Sequence, residues 1–195
     1  MEFDMENHLL FEKMKDWHHK RTGSHIFRVK QLAEIIVNWD YELSELTAQV
    51  SDHDASKFRE PEETAYIHIS WMYKCKFDPE LEDYVIPDSV DDAATTHHHV
   101  KNHKHHPEYW TDQSDVINRN DRDTKPSEIV DGTKMPDVSI AEMVCDWGSV
   151  AIERGSSLRQ WADDNVGIRW YFGPHQTDLI YELIEVLIDN VDELQ

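Results

Sequence analysis

Four side chains stand out because their types bind metals and their spacing turns them toward a core. Val29, Leu32 and Ile36 form an apolar helical stripe, and stepping back four residues from Val29 reaches His25. Leu46 and Val50 set a second buried side, on which the positions seven and eight residues after Leu46 are His53 and Asp54. Met143 and Val150 flank Asp146 at three and four residues on a third stripe. An imidazole or carboxylate thus takes a core-facing slot three times. Burying an unpaired carboxylate is costly, so two inward acids need cations, hydrogen bonds or a metal. Imidazole nitrogen and carboxylate oxygen suit zinc, manganese, iron, cobalt or nickel, and four such ligands leave positions open for water and substrate. Each residue alone reads equally as a hydrogen-bonded core histidine or a capping aspartate; together they point to a shared divalent ion.

Cationic and imidazole groups cluster around these four in the sequence. Lys57 lies one helical turn after Asp54, close enough to reach the same pocket, or to pair with Asp52 or Asp54. Arg28 follows His25 by a turn and Arg21 precedes it; either guanidinium offers a fork for phosphate oxygens, with Arg28 the expected one and an outward salt bridge its competing role. Six histidines fall within residues 97–106. His98 or His99, with His105 or His106, is expected to complete a second metal position or to bind substrate phosphate, while His97 and His103 are expected to face solvent.

A histidine, a His-Asp doublet some thirty residues on and a distant aspartate on a later helix resemble the HD superfamily of metal-dependent phosphohydrolases. His25, His53-Asp54 and Asp146 match that pattern, and His53-Asp54-Ala55-Ser56-Lys57 resembles its His-Asp-x-x-Lys form. The wording around His98-His99, Asn102, His105-His106, Glu108-Tyr109-Trp110, Met135-Pro136 and Glu142-Met143-x-Cys145-Asp146-Trp147 is similar to an HD-like group associated with tailed bacteriophages. The resemblance implies a metal held by His25, His53, Asp54 and Asp146, with Asp54 and Lys57 catalytic. Arg28, Lys57, His98, His99, His105 and His106 would then bind substrate, and one or two ions of manganese, cobalt, nickel, zinc or iron would be present. The implied reaction is attack of metal-activated water on a nucleotide: a nucleoside mono- or triphosphate, or a signalling nucleotide. Two other functions keep the same residues. One is a di-iron oxygenase of HD type; the other is a non-enzymatic acidic phage protein that binds a host factor and keeps a structural metal.

The elements that must position these groups read as helices. No stretch sustains the two-residue alternation of a half-buried sheet. About seven helices are expected, over 4–19, from Thr22 or Ser24 to Trp39, 44–56, 61–75, a stretch carrying His97 to His99, Pro136 to Gly155, and 176–194. A polar segment at about 111–134 is the one long loop, read as a lid or a partly disordered stretch. The expected architecture is all-α, an HD-type helical bundle, with 1–195 as a single domain.

Composition narrows the function classes. Hydrophobic residues at 39% and seven Trp supply a core. A net charge of −21 repels long nucleic acid, so a small anionic substrate needs local positive charge from a metal and a few Lys or Arg. Cys75 and Cys145 form no disulfide framework, and neither a signal-like start nor an apolar run of membrane-spanning length occurs. A cytoplasmic protein is expected, in the host cytoplasm if phage-encoded, with no membrane partner and with a homo-oligomer possible.

Overall fold

The structure, a computed structural model, describes residues 2–113 and 128–190. Among these the fold is all-α. Its helices are α1 (Glu2–Trp39), α2 (Glu45–Gln49), α3 (Glu63–Phe77), α4 (Asp92–Asn102), α5 (Asp137–Arg154), α6 (Leu158–Asn165) and α7 (Pro174–Asn190). Short 3-10 turns at Val50–Asp52, Ala55–Phe58 and Pro107–Tyr109 join them. A two-residue parallel pair, β1 (Val130–Asp131) with β2 (Trp170–Tyr171), brackets α5 and α6.

Helix α5 is the axis of the bundle. From Ser139 to Ala151 nearly every side chain is buried, and α1, α2, α6 and α7 pack around it. The main core joins Val29, Leu32 and Ile36 of α1 to Ile140, Val144 and Ala151 of α5 and to Ile180, Leu183 and Leu187 of α7. Gly148 marks a close approach of α5 to α1 and α7: a Cβ there would lie 3.0 Å from Leu32 Cδ1 and 3.4 Å from Leu187 Cδ1. A smaller cluster of Met14, Ile67, Trp71 and Cys75 seats α3 on the first half of α1. Both cysteines are buried and free.

Several boundaries differ from the sequence expectation. The two helices expected before Trp39 are one, because α1 runs unbroken through Thr22-Gly23-Ser24. A helix-interior glycine costs about 1 kcal/mol relative to alanine, but burial of His18, Thr22, His25 and Val29 on both sides outweighs it. The helix expected over 44–56 ends at Gln49. The next residues form a 3-10 turn, and Asp54 then adopts a left-handed conformation (φ 54°). Helix α6 was not expected, nor was the strand pair. The expected loop at 111–134 falls largely on residues 114–127, outside the described residues, as does the end of the last expected helix beyond Asn190. No helix among the described residues is long and apolar enough to cross a membrane.

Candidate metal centre

Three segments bring the donors together: His25, His53 and Asp54 each offer an atom within 4.8 Å of the others, and Asp146 approaches both imidazoles. His25 Nε2 (α1) lies 3.3 Å from His53 Nε2, 3.0 Å from Asp146 Oδ1 (α5) and 3.5 Å from Asp54 Oδ2. His53 Nε2 is 3.9 Å from Asp54 Oδ2 and 3.7 Å from Asp146 Oδ1. Ligands about 2.0–2.2 Å from one ion, at angles between octahedral and tetrahedral, stand about 2.8–3.6 Å apart. The observed separations fall on or just outside that range. His53 and Asp54 reach this place because the chain leaves the helix: the left-handed turn at Asp54 sends its carboxylate back into the bundle. A non-glycine residue held there costs about 1–2 kcal/mol, a strain of the kind that gathers at functional sites.

The outer nitrogens assign the tautomers. Ser149 Oγ donates to the His25 carbonyl (3.2 Å), leaving its lone pairs to accept from His25 Nδ1–H (2.9 Å). His53 Nδ1–H donates to Glu142 Oε1 at 2.8 Å. Both Nε2 atoms therefore present lone pairs inward, where two lone pairs and two carboxylate oxygens repel unless a cation lies among them. Hydrogen-bonded outer nitrogens of this kind orient metal-binding imidazoles generally.

A second group adjoins the first through Asp54. Its Oδ1 is buried without a hydrogen bond, 3.2 Å from His99 Nε2 and 3.8 Å from His105 Nε2. His99, His105 and His106 each offer a nitrogen within 4.8 Å of the others. The Nε2 atoms of His99 and His106 are also buried without hydrogen bonds. Their outer sides repeat the first pattern: His99 Nδ1–H donates to Glu62 Oε2 (3.0 Å), and His105 Nδ1–H faces Glu142 Oε1 (3.3 Å). Buried His, Asp and Glu thus form clusters with metal-binding spacing, and the unsatisfied donor atoms fit divalent ions. Asp54, with one oxygen toward each cluster, is placed to bridge them.

Charge is balanced against burial throughout. Burial would lower the His53 pKa, but the negative charge of Asp54 and hydrogen bonds to Asp146 and Glu142 raise it to about 10: with no cation among these groups a proton on Nε2 supplies the positive charge, and a divalent ion would take that proton's place. Burial also raises the carboxyl pKa values, yet Lys57 and His53 hold Asp54 well below the ordinary range, and His25 and His53 do the same for Asp146. For His105, burial and the neighbouring His53 lower the pKa to about 4, and His106 is pushed down in the same way. Both are neutral imidazoles at physiological pH, the form that ligates.

An open cavity of about 330 Å³ lies against the centre. His25, Asp54, Asp146, His99, His105 and His106 line one end, with Lys57 beside them. Lys57 Nζ donates to Asp54 Oδ2 (2.6 Å) and sits 4.8 Å over the Tyr66 ring, so it pairs with Asp54 and borders the cavity at once. Arg28 lies outside: its guanidinium donates to Ser149 Oγ (3.2 Å) and Glu153 Oε2 (2.9 Å). Arg21 lines the cavity instead. His98 also stays out of the cavity; its ring is 44% exposed and donates from Nδ1 to Glu62 Oε1 (2.9 Å). His97 is exposed as expected, but His103 is not: it stacks on His99 at 4.3 Å and meets Ser56 Oγ at 2.8 Å.

Glu62, Glu142 and Ser149 were missing from the expected set. Glu62 is fully buried, with its carboxylate held far below the usual range by bonds from His103, His99 and Ser56 against the opposing effect of burial. Glu142 had a legible signal, since it precedes Asp146 by one turn on the same buried stripe. Glu62 had none: it follows a turn proline and reaches its histidines only through tertiary packing.

Residues 14–190 match the model of DUF5662, a family of unknown function. No curated protein and no solved structure matches the chain.

Proposed function

The chain belongs to the DUF5662 family, and we propose that it is a metal-dependent phosphohydrolase acting on a small phosphorylated substrate, a nucleotide by the HD resemblance. One observation carries the reading: four inward-facing donor atoms on His25, His53, Asp54 and Asp146 converge at the wall of an open cavity beside the Lys57 ammonium. A divalent ion held by these residues would polarise a phosphate and lower the pKa of water toward neutrality. The protein supplies the rest. Lys57 and Arg21, paired with Asp54 and Glu153, border the cavity in a chain of net charge −21, and their remaining N–H groups would offset charge that develops on phosphate oxygens. Asp146 is the better proton acceptor, because its side chain is 20% exposed whereas that of Asp54 is 2% exposed, with Oδ2 bonded to Lys57 and Oδ1 facing the second cluster. Glu142, Glu62 and Ser149 keep the imidazoles in the ligating tautomer.

The test is phosphate release from nucleotides and cyclic dinucleotides by purified protein with manganese, cobalt, nickel, zinc or iron. Metal-dependent release that is lost in Asp54→Asn and falls at least tenfold in Lys57→Met is expected. Full activity in metal-loaded Asp54→Asn, or no release from any substrate with any metal, overturns the reading.

The second cluster favours one competing function. Asp54 between two histidine-rich groups suits two irons and dioxygen chemistry as well as two hydrolytic ions. Two irons per chain with oxygen consumption and no phosphate release would replace hydrolysis by oxidation.

A further inference from the structure

The cavity does not end at the metal centre. Tyr73 and Phe77, one turn apart on α3, stack at 6.4 Å with planes 10° apart. The Arg154 guanidinium stands 6.0 and 5.5 Å over these rings, and Lys76 Nζ is 5.9 Å from each. All four line the cavity, as does Trp161. Phe77 is 63% exposed and Trp161 40%, so large rings stand open to solvent in a cavity also lined by cations, within an acidic chain. Stacked rings beside guanidinium are what nucleobases bind, through their faces and with little dependence on sequence.

The spacing along the helices sets a length. Tyr66 touches the metal end through Lys57 and through His99, whose ring is 5.4 Å away. Tyr73 is two turns further along α3, about 10 Å, and Arg154 is eight residues beyond Asp146 on α5, about 12 Å. Arg21 precedes His25 by one turn of α1, about 6 Å. The bonds His25–Ser149 and Arg21–Glu153 run in opposite chain directions, so α1 and α5 are antiparallel and Arg21 lies on the same side of the centre as Arg154. Cations therefore stand at the metal end, midway and at the mouth.

The geometry points to Tyr73, Phe77 and Arg154 as a base-recognition platform, and to a nucleoside carrying two or more phosphates as the substrate; this rests on the phosphohydrolase reading of the centre. With the reacting phosphorus at the metal end, the platform is about 10–12 Å away. A single ribose does not bridge that gap, whereas ribose with a chain of phosphates does, and Arg21 then lies beside the internal phosphates.

The experiment compares kcat/KM of the manganese-loaded protein for mono-, di- and triphosphates of the four common nucleosides and for inorganic tripolyphosphate. In parallel, affinity for a nonhydrolysable nucleoside triphosphate is read from tryptophan fluorescence. Triphosphate should exceed monophosphate at least tenfold. Phe77→Ala and Arg154→Ala should each lower the ratio of nucleoside triphosphate to tripolyphosphate turnover about tenfold and weaken analogue binding by a similar factor. Because Phe77 is exposed, its replacement leaves the core intact. A preference for monophosphates, or equal losses on nucleoside triphosphate and tripolyphosphate, overturns the platform. Turnover of every phosphate without base dependence sinks the platform and leaves the hydrolase. Analogue binding that depends on Phe77 without turnover supports the platform and sinks the hydrolase.

Discussion

Replacing Glu142 by glutamine changes one oxygen to an amide nitrogen and tests how the centre is held. Glu142 is 3% exposed, and its Oε1 faces two imidazole N–H groups, His53 Nδ1 at 2.8 Å and His105 Nδ1 at 3.3 Å. Its Oε2 accepts from Gln49 Nε2 at 2.7 Å. Burial opposes its ionisation, but the bonds from His105 and His53 bring its pKa down to about 2. An amide has one accepting oxygen for these three donors. Either a buried N–H loses its acceptor, which costs about 1–3 kcal/mol, or a ring changes tautomer and places a proton on the Nε2 that should ligate. Each route weakens metal binding by about 10–100-fold, equivalent to about 1.4–2.7 kcal/mol, in line with the hydrogen-bond figure. Competition with a chromogenic chelator measures the dissociation constant. A value within about threefold of wild type in a variant with an unchanged melting curve would refute the role assigned to Glu142.

Three further outcomes are expected. His99→Ala and His106→Ala should each lower the metal content per chain measured by elemental analysis, and an unchanged count of two would remove them from the second cluster. Burial lowers the His18 pKa from 6.5 to about 4 despite its bond to the Lys57 carbonyl, so the unfolded chain binds a proton that the folded one refuses. Stability of the metal-free protein should therefore fall as pH drops from 6.5 toward 4, by up to about 3 kcal/mol from this residue. In urea titrations at the two pH values His18→Gln should flatten that slope, and an identical slope would contradict the assignment. Gly148→Ala should destabilise by about 1 kcal/mol, since crowding of Leu32 exceeds the helix-propensity gain; an unchanged urea midpoint would show that Leu32 yields freely.

The helical class and the inward direction of His25, His53, Asp54 and Asp146 were legible because burial imposes a 3.6-residue period on Val29, Leu32, Ile36, Leu46, Val50, Met143 and Val150. The kink at Asp54 was not, because a left-handed aspartate has no local pattern; the helical count still put His53 and Asp54 on the correct side. Thr22 and Ser24 read as caps of a new helix, yet packing on both flanks carried α1 through them. Arg28 and Arg21, two turns apart on α1, both pair with Glu153, and only Arg21 also borders the cavity, a difference the helical count did not show. His103 turned inward for the same kind of reason, with Glu62 and Ser56 waiting from another element. Partners of this sort are set by tertiary contact, which a periodic sequence pattern does not encode.

His25, His53, Asp54 and Asp146 are proposed to hold one common ion. Anomalous diffraction from crystals grown with manganese tests it directly. The expected result is a peak about 2.0–2.2 Å from His25 Nε2, His53 Nε2, Asp54 Oδ2 and Asp146 Oδ1. A protein that binds manganese elsewhere, with no peak among these four atoms, would contradict it.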